Sequence, residues 1–152
     1  MIENAATVEI LNDLIEINND RIAGYDKAIK ESIAENSDLK SLFEHMVHES
    51  HDCKMALSTE VLVLKGETAE GTTNSGKIYR AWMDIKATFT GHDRHSILAN
   101  CEKGEDAAQT AYKTALADEN LPHYLHDMVA GQKAKLKLSH DKVKMLRDMQ
   151  SN

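Results

Sequence analysis

The sequence predicts an all-α protein made of four long helices, paired as two hairpins and joined by one long crossover connection. Three observations predict this class. Apolar residues recur at alternating spacings of three and four residues along four stretches, as on the buried seam of bundle helices. The 152-residue chain has one proline, which lies between the last two stretches, whereas proline inside a helix would break it. Turn-forming residues are concentrated in residues 66–76. We therefore expect one domain that spans residues 1–152.

The composition narrows the classes of partner. The formal net charge is −7, and an acidic surface disfavours nucleic acid and anionic membranes as partners. The first residues carry no basic segment followed by an apolar one, and no apolar run approaches the roughly 20 residues that span a bilayer. We expect a cytoplasmic protein with no nucleic-acid or membrane partner. Cys53 and Cys101 fall on predicted core stripes, which favours buried reduced thiols and leaves a disulfide open.

The first long helix is predicted over residues 5–35. Asn18 interrupts its apolar stripe, and Tyr25 follows seven residues later. Seven residues are two turns, so both side chains belong to the same face, about 10 Å apart. A buried amide that fixes the helix register explains Asn18 without any ligand. The full stripe consists of Val8, Leu11, Ile15, Asn18, Ile22, Tyr25, Ile29 and Ser32.

The second long helix is predicted over residues 39–65, after the capping sequence Asn36-Ser37-Asp38. We expect Gly66 at the C′ position that ends it. A carboxylate, Glu49, occupies a mid-helix position of the apolar stripe, and Asp52 follows three residues later. Both can project to one side of the helix.

Histidines are frequent, but the register of the helices places nearly all of them outside the core. A metal site from three histidines spaced i, i+3 and i+6 on the second helix is an alternative, yet these positions fall mostly on its solvated face. We therefore expect seven surface histidines: His45, His48, His51, His92, His95, His123 and His126.

The connection between the second and third long helices begins with the loop 66–76 and continues through a short amphipathic helix at 77–90. This length far exceeds what an antiparallel helix turn needs. It suits a crossover along the bundle, which would make the second and third helices parallel. The last two helices, separated by a short break at Pro122, should be antiparallel.

The third long helix, residues 93–117, carries the most informative anomaly. Its apolar stripe of Leu98, Cys101, Ala108 and Ala115 also passes through Glu105 and Tyr112. A carboxylate inside such a stripe is costly unless it is paired, hydrogen-bonded or bound to a metal. The step from Glu105 to Tyr112 repeats the step from Asn18 to Tyr25. The fourth helix, to about residue 149, places His140 at the edge of its stripe.

Two hairpins joined by one long crossover are the connectivity of ferritin-like four-helix bundles. Those bundles bind two metals with a Glu from each of two helices and a Glu-x-x-His from each of the others. At matching depths this chain has Asn18, Glu49-x-x-Asp52, Glu105 and Lys137-x-x-His140. Two interpretations stay open. A single Fe, Mn or Zn ion is held by Glu49, Asp52, Glu105 and His140, with Asn18, Tyr25 and Tyr112 around it. Alternatively, the same carboxylates accept hydrogen bonds in a polar layer, from the tyrosines, Asn18, His140 or a lysine.

Several segments together resemble a bacterial family of uncharacterised ferritin-like bundle proteins, distantly similar to rubrerythrin and ferritin. The resemblance implies the fold and, through it, metal binding and a stress or storage role. Three departures weaken the di-iron pattern: Asn18 replaces a bridging carboxylate, Asp52 a histidine, and Lys137 a carboxylate. The matching segments are LNDLI at 11–15, NDRIAGY at 19–25, RAWMDIK at 80–86, CEKGE at 101–105 with Tyr112, and His140-Asp141.

Two functions follow for such a chain. The first is a non-enzymatic bundle that associates with copies of itself, with a polar core layer that could bind a metal ion. The second is an iron- or manganese-dependent redox protein of the rubrerythrin or ferritin type. The missing ligand positions favour the first.

Overall fold

The computed structural model describes residues 2–31, 37–69 and 94–149, and these residues form four long helices. Helix α1 spans Ile2–Glu31, α2 spans Ser37–Val63, α3 spans Arg94–Ala117 and α4 spans His123–Met149. No strand occurs in the described ranges. The all-α class is therefore confirmed, and the helix bounds agree with the predicted ones to within a few residues. The short helix expected at 77–90 lies outside the described residues.

A hydrogen bond and a ring contact fix the direction of α1 relative to α2. Near its start, Asn12 donates to the carbonyl of Glu67, just beyond the end of α2. Further along α1, the ring of Tyr25 lies 5.3 Å from that of Phe43, in the first half of α2. The contacts run in opposite orders along the two helices, so α1 and α2 form an antiparallel hairpin as predicted.

The order of contacts also fixes the direction of α3 relative to α1. Thr7 of α1 donates to the carbonyl of Asn120, which follows α3, whereas Arg21 donates to Glu105 in its middle. Helix α3 is therefore antiparallel to α1 and parallel to α2. An ion pair at 2.7 Å between Arg94 and Asp38 joins the N-terminal ends of α3 and α2. The predicted crossover connectivity is confirmed.

The α3–α4 hairpin closes through a short turn. The backbone N–H of Asp118 donates to Ala115, and that of Leu121 donates to Asp118. Pro122 directly precedes α4 and its carbonyl accepts from Leu125, consistent with the expectation that proline opens the last helix.

The end of α2 is a Schellman motif, and it corrects one expectation. Lys65, not Gly66, takes the left-handed conformation, with φ of 63°. Its N–H donates to Leu62, while that of Gly66 donates to Val61, both at 2.9 Å. Gly66 is needed for another reason: a Cβ there would lie 2.8 Å from a methyl group of Val8. The glycine lets the end of α2 approach α1.

The core consists of two apolar clusters along the bundle. One, toward the α3–α4 turn, includes Leu11, Leu57 and Leu125. The other, toward the opposite end, includes Phe43, Leu98 and Val143. Burying such side chains contributes about 1.5 to 3 kcal/mol each. The apolar seams therefore hold the bundle together from both sides of a polar middle layer.

Two further expectations concern the cysteines and the membrane. Cys53 and Cys101 are buried and free, as the core stripes predict. In the described part of the chain, no helix combines the length and the apolar character needed to cross a membrane.

Candidate functional site

The centre of the bundle holds a buried arginine. Arg21 has no exposed surface and is one of the large side chains that are fully buried among the described residues. Its Nε donates to Glu105 Oε1 at 2.9 Å and its Nη2 donates to Glu105 Oε2 at 2.7 Å. The planar guanidinium thus meets the carboxylate with two parallel hydrogen bonds, the strongest geometry for such a pair.

Arg21 also reaches the other carboxylate. Its Nη2 lies 3.5 Å from Oε1 of Glu49, and its Nη1 donates to the hydroxyl of Ser50. The Glu49 oxygen accepts a further bond of 2.6 Å from Ser139 of α4. One cation therefore lies between the two carboxylates, and all four helices contribute to the layer.

Tyr25 completes the surroundings of Glu105. Its hydroxyl donates to Glu105 Oε2 at 2.6 Å, and the Arg21 guanidinium carbon lies 5.4 Å from its ring centre. Burial by itself lowers the pKa of Arg21, but Glu105, Tyr25 and Glu49 more than offset it, so the net direction is up. The arginine is charged at any accessible pH. Burial and then Glu105 raise the pKa of Tyr25 well above its usual value.

A second, uncharged chain of hydrogen bonds lies beside the ion pair. Asn18 donates to the hydroxyl of Tyr112 at 2.9 Å, and that hydroxyl donates to Gln132 at 2.7 Å. Gln132 in turn donates to the carbonyl of Cys53. The amide oxygen of Asn18 is buried and accepts no hydrogen bond within the described part of the chain. This chain links α1, α3, α4 and α2 through neutral groups.

The sequence-predicted residues separate into two places. Glu49 and Glu105 lie in the central layer, and Tyr25 bonds directly to Glu105. Asp52 is exposed on α2. His140 lies outside the layer, 2.6 Å from Asp106. The structure therefore does not bring Glu49, Asp52, Glu105 and His140 to one point.

Sequence reasoning missed Arg21 as the main partner. Residues 21 and 22 both fit the spacing between Asn18 and Tyr25, and the apolar residue Ile22 was assigned to the stripe. The structure buries Arg21 completely and leaves Ile22 half-buried. The signal in the sequence was the position of Arg21 next to the stripe, since a cation there is a natural partner for a buried carboxylate.

The histidines mostly follow the expectation. His45, His48, His51 and His123 are exposed, whereas His95 and His126 are half-buried. The ring of His126 stacks near that of His123, with centres 6.5 Å apart. His92 lies outside the described residues.

A second polar group lies at the outer junction of α3 and α4. Glu102, Asp106 and His140 each offer one potential metal-binding atom, and these atoms all lie within 4.8 Å of one another. Glu102 also accepts a hydrogen bond from Arg147. Of the predicted ligands, only His140 belongs to this group.

Together, the fold and the central layer define an all-α four-helix bundle whose helices are joined by a buried arginine–carboxylate network. The chain belongs to the family described as a domain of unknown function (DUF2383), whose model matches residues 6–118. No curated protein matches the chain.

The buried acids of the layer predict a loss of stability at high pH. Burial and then Glu105 raise the pKa of the Cys101 thiol, as they do for Tyr25. Burial also raises the pKa of Cys53 to about 11 and that of Tyr112 beyond its usual value. In the unfolded chain the thiols ionise near 9.0 and the tyrosines near 10.0. The stability from these raised values is complete below pH 9.0 and is lost as the pH rises further.

Urea unfolding at increasing pH measures this loss. Each group should contribute a slope of about 1.4 kcal/mol per pH unit between its two pKa values. Tyr25→Phe should reduce the slope above pH 10.0. The wild type is the reference for this comparison. A slope in Tyr25→Phe equal to that of the wild type would contradict the assignment of the loss to the buried layer.

Proposed function

We propose that this protein is a non-enzymatic helical bundle that self-associates, with two copies pairing through the outer face of α4. The observation that carries the proposal is an apolar stripe on that face. Tyr124, Gly131, Leu138 and Met145 recur at intervals of seven residues and are all exposed, Leu138 to 72%. Met149 extends the stripe by one turn and is 65% exposed. Apolar residues at every seventh position lie on one side of a helix and can form one row of a helix-pairing seam.

The middle of the stripe is open to close approach. A Cβ added at Gly131 would meet no atom within 4 Å, so a helix from another copy can come near the backbone there. Large exposed side chains flank this gap at Tyr124 and Leu138. Exposed apolar residues that align on one helix face are more typical of an interaction site than scattered ones are.

Charge selects a second copy in parallel orientation. The positions three residues after the stripe are acidic at Asp127 and Asp141, whereas those four residues after it are basic at Lys135 and Lys142. In a parallel pair with two-fold symmetry, the acidic border of one helix faces the basic border of the other. An antiparallel pair would bring like borders together. Exposed charge pairs of this kind set orientation more than strength.

The central layer supports the non-enzymatic part of the proposal. Both oxygens of Glu105 accept hydrogen bonds from Arg21, and one accepts from Tyr25 as well. The guanidinium occupies the position between Glu49 and Glu105 where a bridging cation would bind. These residues do not fit a metal centre in the core unless Arg21 leaves, which would strand a buried charge.

The iron- or manganese-dependent redox protein is the alternative from the sequence. It requires Glu49, Asp52, Glu105 and His140 to converge on an ion. The exposure of Asp52 and the contact of His140 with Asp106 give this alternative less support.

Sedimentation of the full chain over a range of concentrations tests the proposal. We expect a dimer for the wild type and a monomer for Leu138→Glu/Met145→Glu, because two charges then replace the centre of the apolar stripe. The matched control is Met55→Glu/Leu62→Glu, at residues of α2 that are 65% and 63% exposed; it should remain dimeric. A monomeric wild type would refute self-association. Dissociation by the α2 variant alone would refute the choice of face.

Cross-linking tests the orientation. In a parallel pair, Tyr124→Cys and Met145→Cys should each form a disulfide with the same residue of the second copy. The two positions lie about 30 Å apart along the helix. In an antiparallel pair a residue meets its own copy only near the two-fold axis, so the two single variants could not both cross-link. The native cysteines are buried and should not interfere.

A further inference from the structure

The outer junction of α3 and α4 places two carboxylates opposite an imidazole. Glu102 and Asp106 lie one turn apart on α3, and both face His140 of α4. The His140 Nε2 atom is 2.6 Å from Asp106 Oδ1 and 3.8 Å from Glu102 Oε2. Ligand atoms at about 2.1 Å from a common zinc ion stand roughly 3 to 3.5 Å apart. Small side-chain adjustments would therefore bring all three atoms onto one ion.

The imidazole is oriented from its other side, and this observation is independent of the three facing atoms. His140 Nδ1 lies 3.0 Å from Asp141 Oδ1. When a metal ion binds Nε2, a carboxylate there accepts the hydrogen bond from Nδ1–H and keeps Nε2 turned toward Glu102 and Asp106. Without the ion, Nε2–H donates to Asp106. Metal-binding histidines generally have such an outer partner. The side chains of His140 and Glu102 are only 16% and 12% exposed, unlike the solvated histidines of α2.

We propose that Glu102, Asp106 and His140 bind a divalent transition-metal ion, with water at the remaining position. One imidazole and two carboxylates suit zinc and its neighbours, and the imidazole disfavours magnesium, which prefers oxygen ligands. This site lies outside the central layer and shares only His140 with the ligand set predicted from sequence. It does not depend on self-association of the bundle.

Arg147 opposes metal binding at this site and supplies a test. Its guanidinium donates to Glu102 and to Asp148. A metal ion must compete with this positive charge for the Glu102 carboxylate. Removing the charge should therefore strengthen metal binding, an effect that damage to the fold would not produce.

Calorimetric titration of the full chain with zinc chloride measures the site. The background variant is His45→Gln/His48→Gln/His51→Gln, since three exposed histidines on one helix can bind zinc adventitiously. In this background we expect one zinc ion per chain and no comparable heat with magnesium chloride. His140→Gln should weaken zinc binding at least tenfold and Asp141→Asn by about tenfold. Arg147→Gln should tighten it several-fold.

The matched control is His126→Gln, at a half-buried histidine of the same helix, and it should leave zinc binding unchanged. Circular dichroism checks that each variant keeps the helical fold. The proposal is overturned if zinc binding survives His140→Gln undiminished, if Arg147→Gln weakens it, or if magnesium binds as tightly as zinc. Any of these results would make the group a surface salt-bridge network only.

Discussion

Arg21→Met should lower the free energy of unfolding by about 3 to 5 kcal/mol. Methionine retains much of the aliphatic volume, so the loss reports the charge. Without the guanidinium, the Tyr25 hydroxyl is the close donor that Glu105 keeps among the described residues, and Glu105 is left as an uncompensated buried anion. A domain is stable by about 5 to 15 kcal/mol in total, so the variant should be close to unfolding. Urea unfolding followed by circular dichroism measures the change.

Arg94→Met is the matched control for this substitution. Arg94 forms a two-bonded pair with Asp38, but the Asp38 side chain is 64% exposed. Water can solvate Asp38 once the arginine is removed, so the loss should not exceed about 1 kcal/mol. If the two methionine variants lost equal stability, burial of the Arg21 pair would not be the cause.

Glu105→Gln should also destabilise the protein, by about 3 kcal/mol. Glutamine can still accept from Tyr25, but it no longer neutralises Arg21, whose nearest remaining carboxylate oxygen is that of Glu49 at 3.5 Å. The sign of this change distinguishes two accounts of the layer. A proton shared between Glu49 and Glu105 would make the substitution neutral or stabilising near pH 7, because the amide mimics the protonated acid.

The double variant Arg21→Met/Glu105→Gln tests the coupling. Because the second substitution removes the charge that the first one strands, the double variant should be about 2 to 3 kcal/mol more stable than the sum of the single losses predicts. Losses that simply add would show that the two side chains do not stabilise each other.

Added iron or manganese separates the ion-pair account from a metal in the core. A metal bound by Glu105 would stabilise the wild type, and Glu105→Gln would lose that stabilisation. The ion-pair account predicts the same response to metal in both proteins, with any stabilisation arising from His140 at the outer site. His140→Gln should then abolish the response in either background.

The fold was predictable because helical periodicity is a local property. The three–four spacing identified all four helices, and the long connection after α2 implied that α2 and α3 are parallel. The last turn of α2 was predicted less well. A glycine near a helix end suggests the left-handed residue, but at Gly66 the approach of Val8 demands the missing side chain, and Lys65 adopts the unusual φ.

The central layer was predictable only in part. A carboxylate in an apolar stripe is an anomaly that the sequence shows directly, so Glu49 and Glu105 were found. Their partners depend on the rotation and offset of the helices, which periodicity does not determine. Each tyrosine was grouped with the polar residue of its own helix. The structure pairs them crosswise, Asn18 with Tyr112 and Tyr25 with Glu105.

The two-bonded contact between Arg21 and Glu105 also determines which alignments of the bundle are allowed. The apolar stripe of α3 would pack almost as well if that helix slid by seven residues. Such a slide would place Leu98 or Tyr112 opposite Arg21 instead of Glu105, and a fully buried guanidinium would lose its anion. The cost of several kcal/mol makes the misaligned bundle untenable. A single charged pair thus selects one alignment among several that apolar packing alone would allow.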